Sequence, residues 1–353
     1  MPDPLRIMRF EESPVRERDI SIVIPARQEH PQATFTLQVI WDILEDSGLD
    51  WETIIVDNMS NDKTATWAKK RWWEGRGGRG PERHTIIEYT EEGSCWQARN
   101  AGIQAAQGEL IFLFDAHVVI SQNLFARQIE LFKSTPAAAV VYTPLVMMSD
   151  SKKHRAYGYK LGPDDDPIKQ INNKFWGSWT RNKQSDDPYR IPMSGTAGIA
   201  IRKSYLDSLP GGGWPQGLSV YGGGEQYISL LTWMMGRECW IHPDTYMYHF
   251  ADYRKYSNNG LEEGGKSTND AHHFNKCLVA YALGGDEWWV KVLDMALKQW
   301  NPAYHDGAVR LAEEAKEKAL GYREWIDANA MWTLNEVLEM QPWGAHAEVQ
   351  VVR

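Results

Sequence analysis

Three adjacent residues carry the densest chemistry in the chain. Asp115-Ala116-His117 closes an apolar run, Leu110-Ile111-Phe112-Leu113-Phe114, that follows Gly108-Glu109. A run of that length reads as a buried central strand. Side chains i and i+2 of a strand share a face, so the carboxylate and the imidazole are expected to converge at its C-terminal end. That edge is where open α/β sheets bind ligands. An oxygen donor beside a nitrogen donor suits a borderline divalent cation such as Mn2+ better than Ca2+. A turn aspartate followed by a packed histidine would show the same three residues, so the rest of the chain has to decide.

A sheet is needed to hold such a site, and the sequence pattern supplies one. Ile20-Ser21-Ile22-Val23-Ile24 reads as a strand ended by Pro25, then a helix from about Thr34 to Ser47 with Gly48 as its stop. Thr53-Ile54-Ile55-Val56-Asp57 is the second strand, and Asn61-Asp62-Lys63-Thr64 opens a helix through Trp73. A glycine-rich loop at 76–81 leads to a third strand, Thr85-Ile86-Ile87-Glu88-Tyr89. Cys95 to Gln107 gains helical propensity from Ala98, Ala101, Ala105 and Ala106. Strands separated by single helices imply a parallel sheet with crossover helices.

Farther along, a helix near 123–134 and a strand over 138–147 are expected. Residues 150–190 are polar, aromatic and turn-rich, an insertion of a length that usually serves function. Order returns at Gly198-Ile199-Ala200-Ile201, in a helix over 225–235, and in short strands at 239–241 and 246–250. The organisation read from this is an arm over 1–18, an α/β domain over 19–250, a mobile loop over 251–270, and a helical C-terminal extension over 271–353. Helical periodicity in the extension is clearest at 288–300, 307–322 and 330–340.

Composition narrows the classes. No apolar stretch reaches the ~20 residues that span a bilayer, so no stable membrane association is expected. The first residues, Met1-Pro2-Asp3-Pro4-Leu5-Arg6, lack a signal-peptide pattern. Three cysteines at unrelated spacings form neither a disulfide framework nor a metal set, which points to a reducing cytoplasm. A net charge of −9 argues against a generic nucleic-acid surface. The 17 tryptophans exceed what a core needs, so several should line grooves or interfaces.

Four features fall at C-terminal strand ends in one order: Ile24-Pro25-Ala26-Arg27-Gln28-Glu29, Val56-Asp57-Asn58-Met59-Ser60-Asn61-Asp62, the Ala98-Arg99-Asn100-Ala101-Gly102 helix, and Phe114-Asp115-Ala116-His117. This order resembles the nucleotide-sugar domain of family-2 glycosyltransferases, with the GT-A fold, over roughly residues 19–250. Asp-x-His in place of two flanking aspartates is the form found in the polypeptide N-acetylgalactosaminyltransferases. Pro192-Met193-Ser194-Gly195-Thr196-Ala197-Gly198, Tyr221-Gly222-Gly223-Gly224-Glu225-Gln226 and His242-Pro243 through Tyr248-His249-Phe250 resemble three further elements of that group. No lectin domain of the kind that group carries is seen in the sequence after residue 250.

The resemblance implies roles. Asp115, His117 and His249 would hold Mn2+ or another divalent cation that bridges the two phosphates of a UDP-sugar donor. Asp57 would accept the uracil N3–H, although an aspartate there also caps a turn. Pro25, Arg27 and Glu29 would border the nucleotide, and Arg99 would order the pyrophosphate or pair with Asp115. Glu225 would bind sugar or acceptor hydroxyls. Inverting relatives place a carboxylate base after this glutamate, and Gln226 cannot act as one, so retention of configuration fits better. Gly222-Gly223-Gly224 would let backbone approach a sugar. Arg254, Lys255 and Tyr256 would close over the diphosphate as a lid. Trp176, Trp179 and Trp214 would border the acceptor.

The acceptor hydroxyl is not legible, and could belong to a saccharide, a protein or a hydroxymethylated DNA base. DNA would need Arg76, Arg79, Lys152, Lys153, Arg155, Lys174, Arg181 and Lys183 to gather at one groove. Two other classes stay open. A nucleotidyltransferase uses a similar sheet, but carries a glycine-rich loop where this chain has Pro25-Ala26-Arg27-Gln28-Glu29. A binding module without turnover would keep the fold alone.

Overall fold

The computed structural model describes residues 18–66, 83–90, 94–148, 153–161, 178–220, 222–250, 268–299 and 301–344. Fourteen strands lie among them: β1 (Arg18–Ala26), β2 (Trp51–Asn58), β3 (His84–Tyr89), β4 (Gly108–Phe114), β5 (Val118–Ile120), β6 (Ala138–Tyr142), β7 (Leu145–Met148), β8 (Lys153–Ala156), β9 (Tyr159–Lys160), β10 (Ser178–Trp179), β11 (Tyr189–Arg190), β12 (Gly198–Arg202), β13 (Glu238–Ile241) and β14 (Met247–Phe250). The helices are α1 (Gln32–Glu45), α2 (Cys95–Ala105), α3 (Leu124–Ser134), α4 (Lys203–Ser208), α5 (Gly224–Met234), α6 (Thr268–Gln299), α7 (His305–Asn329) and α8 (Leu334–Met340).

The main sheet has the order β11-β13-β6-β12-β4-β1-β2-β3. β4, β1, β2 and β3 run parallel, as crossover helices require, while β12 is antiparallel to both β4 and β6. The central strands are apolar throughout because both faces are covered: Ile22, Val23, Ile54, Ile55, Ile111, Phe112 and Leu113 have no exposed surface. Phe112 meets Phe125 of α3 edge-on, ring centroids 4.9 Å apart, anchoring that helix to the sheet.

Three expectations change. The apolar stretch over 138–147 is not one strand. It breaks at Thr143-Pro144 into β6 of the main sheet and β7 of a second sheet, ordered β5-β14-β7-β8. Proline has no N–H for the ladder, and its carbonyl instead accepts from the Met247 N–H at 2.9 Å. The helix expected over 288–300 begins twenty residues earlier, at Thr268, and passes a non-helical Gly285 (φ 65°). Asp115 and His117 do not share a strand face, because β4 ends at Phe114 and both lie in the turn to β5. Their convergence has another cause, described below.

The C-terminal helices share one apolar core with the sheet rather than forming a separate one: Phe274, Leu278, Ala312 and Ala315 are buried in the same cluster as Ile228 and Leu231 of α5. Polar ties fix the docking. The Asn275 amide donates to the carbonyls of Ser219 and Gly222, and its oxygen accepts the Ser219 N–H at 2.8 Å. No helix among the described residues is long and apolar enough to cross a membrane.

Candidate active site

The Asp115–His117 turn is built by contacts on three sides. The Asp115 N–H donates to the Ala197 carbonyl at 2.9 Å, which keeps that residue tied to the segment before β12. Thr36 of α1 clamps the turn: its hydroxyl lies 2.9 Å from the carbonyls of Ala116 and Val118 and accepts the Val118 N–H. β14 then pairs with β5, setting His249 opposite Val118, and the Phe250 N–H donates to the His117 carbonyl. A histidine 134 positions away is thereby delivered to the aspartate.

The outcome is a compact donor set. Asp115, His117 and His249 each offer a ligand atom within 4.8 Å of the others, and among the described residues no other group of three or more His, Cys, Asp or Glu does so. His249 Nε2 stands 3.1 Å from Asp115 Oδ2, and the two imidazoles meet edge to face at 4.7 Å. The Arg99 guanidinium donates to Asp115 Oδ1 at 2.8 Å; Arg99 is buried and Asp115 half-buried, so this is a largely enclosed pair and not a surface salt bridge. Burial works to raise the Asp115 carboxyl. It is outweighed by the His249 hydrogen bond and by the charges of Arg99, His117 and His249, which hold the group well below the usual carboxylate range.

Glu29 orients the second ligand. Its Oε2 lies 3.2 Å from His117 Nδ1, and a carboxylate there makes Nδ1 the donor, leaving the Nε2 lone pair for a cation. Glu29 is itself held by the loop after β2. Thr64 Oγ1 accepts the Glu29 N–H, Ser60 Oγ accepts the Gln28 N–H, and Asp62 accepts the His30 N–H and binds Thr64. A carboxylate and two imidazoles, one oriented by a further carboxylate, fit a borderline divalent ion.

One pocket of 270 Å3 gathers Pro25, Arg27, Glu29, Arg99, Asp115, His117, Glu225 and His249. Glu225, at the start of α5, accepts from the Thr196 hydroxyl at 3.1 Å, and burial pushes its carboxyl up. Gln226 is 3% exposed and does not line the pocket. Asp57 lies at the end of β2, paired across the sheet with Glu88, and accepts the Ser60 N–H at 3.2 Å. Burial raises its carboxyl, and its neighbour Asn58 is the one that lines the pocket. Arg254, Lys255 and Tyr256 lie outside the described residues, as does Trp176.

Two expectations about the acceptor side fail on packing. Trp214 has no exposed surface. Its indole N–H donates to the Gly224 carbonyl and its ring packs on Trp96, so it cannot stack on a sugar. The glycines at 222–224 admit protein, not ligand. Gly222 (φ 92°) abuts His272, Gly223 (φ 85°) abuts Asn275, and a Cβ on Gly224 would fall 2.3 Å from Trp96. Trp179 does line the pocket, stacked on Tyr159 at 4.0 Å, and Cys95 lines it with a thiol pushed up to about 12 by burial. Tyr159, Asn58 and Cys95 are not singled out as site residues in the sequence, because only the packing of β9, β2 and α2 brings them to one rim.

Residues 21–209 match the family model described as glycosyl transferase family 2. The chain belongs to that family. Its similarity to the Drosophila melanogaster N-acetylgalactosaminyltransferases 4 and 7 is 26% over 161 residues and 25% over 171 residues, covering 44% and 43% of this chain. These stretches are 24% and 26% of the relatives, so the chain spans about a quarter of the length of the curated proteins it matches. Among solved structures, GalNAc-T7 with UDP, GalNAc and Mn2+ superposes with a TM-score of 0.58 at 16% identity, covering 94% of this chain and 58% of that one. S. aureus TarS 1–349 with UDP-GlcNAc gives 0.51 at 12% identity, covering 88% and 90%. At these identities the likeness establishes the fold, here GT-A, as the resemblance in the sequence implied.

Proposed function

We propose that this family-2 member is a metal-dependent glycosyltransferase that moves a sugar from a UDP-sugar to an acceptor hydroxyl, with retention. The observation that carries the reading is the Asp115, His117 and His249 donor set, within 4.8 Å, opening on a pocket at the C-terminal ends of β1 and β4. A bound divalent ion, Mn2+ by its donors, would supply Lewis-acid stabilisation of the charge that develops on the departing diphosphate.

The chain's own residues do the rest. Arg99 fixes the Asp115 carboxylate, and Glu29 fixes the His117 tautomer. Arg27 and Pro25, on the wall of the pocket, are proposed to border the nucleotide, Arg27 at a phosphate oxygen, and Asp57, next to the pocket-lining Asn58, to accept the uracil N3–H. Arg254 and Tyr256 are proposed to close over the donor. Glu225 accepts sugar or acceptor hydroxyls from the pocket floor. Gln226, buried and without a titratable group, cannot serve as the base that inverting relatives place after this glutamate, which favours proton uptake by the leaving phosphate on the face it departs. The loop after β1 has no run of glycines, which counts against nucleotidyl transfer. Three unpaired cysteines, Cys95, Cys239 and Cys277, suit a reducing cytoplasm.

The test is UDP release from a panel of UDP-sugars, with Mn2+ or EDTA, for the wild type and His117→Ala. Release with one sugar, dependent on Mn2+ and lost in the variant, is the expected result. Absence of UDP binding would refute the reading, and UDP binding without release under any acceptor would mark a binding module.

A further inference from the structure

The small sheet has a second face. β14 pairs with β7 so that His249 stands opposite Met147 and Tyr248 opposite Val146, and β8 extends the second row with Arg155 opposite Val146. Side chains alternate along a strand, so the two rows point to opposite faces. His249 and Met147 line the pocket described above. Tyr248, Val146 and Arg155 line a separate cleft of 820 Å3, one backbone layer away.

Two further groups complete that cleft. Tyr246, 42% exposed, meets Tyr248 edge to face at 5.3 Å. Arg181 is carried in by backbone pairing: the Tyr157 N–H donates to the Thr180 carbonyl at 2.8 Å, and the Thr180 N–H to the Gly158 carbonyl at 2.9 Å. Arg155 Nη1 donates to Tyr157 Oη at a long 3.5 Å. Among the described residues neither guanidinium has a carboxylate partner, and no acidic side chain lines the cleft. In a chain of net charge −9 that is a local reversal of sign. Of the basic residues singled out in the sequence, Lys183 is ion-paired with Asp186, whereas Arg155 and Arg181 both line this cleft.

We propose that this cleft binds an anionic sugar unit, one bearing a phosphate or carboxylate, that belongs to a polymeric acceptor. Two guanidinium forks match one oxyanion, and the exposed tyrosine rings match the flat face of a pyranose. A nucleic-acid backbone would need a longer track of cations, on the order of six to ten phosphate contacts, than two arginines provide. The purpose assigned to the cleft rests on the glycosyltransferase reading, while its chemistry does not.

The test measures binding of mannose 6-phosphate, glucuronate, mannose and glucose by NMR titration of the full chain, with UDP and Mn2+ binding followed in parallel. At least one charged hexose should bind about tenfold or more tighter than its neutral parent. Arg155→Gln with Arg181→Gln should erase that preference without changing UDP or Mn2+ binding, and Tyr246→Ser alone should weaken both charged and neutral sugars. Preference for the phosphate or the carboxylate identifies the anion. No preference in the wild type, or a preference that survives the double substitution, overturns the proposal. Tighter binding of a ten-nucleotide oligo(dT) than of either charged hexose overturns it in favour of nucleic acid. A wild type that binds neither UDP nor Mn2+ would refute the donor-site reading, and the sugar preference would still decide for or against the cleft.

Discussion

The two edges of the main sheet both bury polar groups, and they differ in how those groups are balanced. At the edge where the parallel strands begin, Glu52 accepts from the Ser21 hydroxyl at 2.5 Å and the Gln107 N–H at 2.7 Å, with Arg18 at 3.8 Å. His84 meets the Thr53 hydroxyl at 2.7 Å and packs on Trp41 at 4.4 Å. The Glu52 carboxylate and the His84 ring are each answered by a neighbour of matching chemistry. At the edge where the strands end, Glu29, Asp115 and Glu225 face one pocket with two imidazoles and the guanidinium groups of Arg27 and Arg99, the latter ion-paired with Asp115. Buried polarity alone therefore does not mark a site. A surplus of donors for a cation, aimed at one space, does.

Substitutions at the two edges should separate these roles. The largest effect is expected at Asp115→Ala, with UDP release falling at least ~1,000-fold and Mn2+ binding lost, because a ligand and the partner of Arg99 go together. A folded chain with a lowered melting temperature should accompany it, because Arg99 is left buried without its carboxylate; complete unfolding would place Asp115 with the structural edge. Arg99→Ala should break the contrast, since a buried carboxylate loses its cation: about 3–5 kcal/mol of stability as well as activity, read by urea unfolding.

Smaller effects sharpen the comparison. Glu52→Ala should cost about 2–3 kcal/mol in the same unfolding assay, from two orphaned donors, the Ser21 hydroxyl and the Gln107 N–H, and leave Mn2+ affinity unchanged. Glu29→Gln should do the reverse, lowering Mn2+ affinity ~10- to 100-fold by calorimetry with little change in stability.

The smallest effect is a pH dependence at the structural edge. Burial first, then the charges of Arg83 and Arg18, lowers His84 to about 4, below its unfolded value of 6.5. Stability linked to His84 is therefore full above pH 6.5 and is lost as pH falls toward 4, because only the unfolded chain takes the proton. About 2 kcal/mol should be missing at pH 5 relative to pH 8. His84→Gln should flatten that window; a slope that persists would assign it to other groups.

Much of the fold was legible because local pattern and burial agree in the first 140 residues. Apolar runs of five to seven residues bounded by turn signals became β1, β2, β3 and β4; β1, β2 and β4 are covered on both faces, while β3, at the margin of the sheet, is partly exposed. Legibility fell where the chain leaves the main sheet. The break at Pro144 redirects one apolar run into two sheets, and a continuous apolar pattern cannot reveal which face each half will cover. The glycines at 222–224 and Trp214 carried residue types suited to sugar binding, yet His272, Asn275 and Trp96 fill the space they would have opened.

By itself, the sequence determined that a carboxylate and an imidazole stand two residues apart at the end of a central strand, with an arginine helix just before them. Those are local facts, set by short-range pattern and by the edge at which parallel strands end. The tertiary structure alone decided that Asp115 and His117 meet across a turn held by Thr36, and that His249 joins them. It also decided that Arg155 and Arg181 share a cleft on the reverse of the same small sheet. Each of these depends on pairing between segments far apart in the chain, and a one-residue change in the register of β14 would turn His249 to the other face.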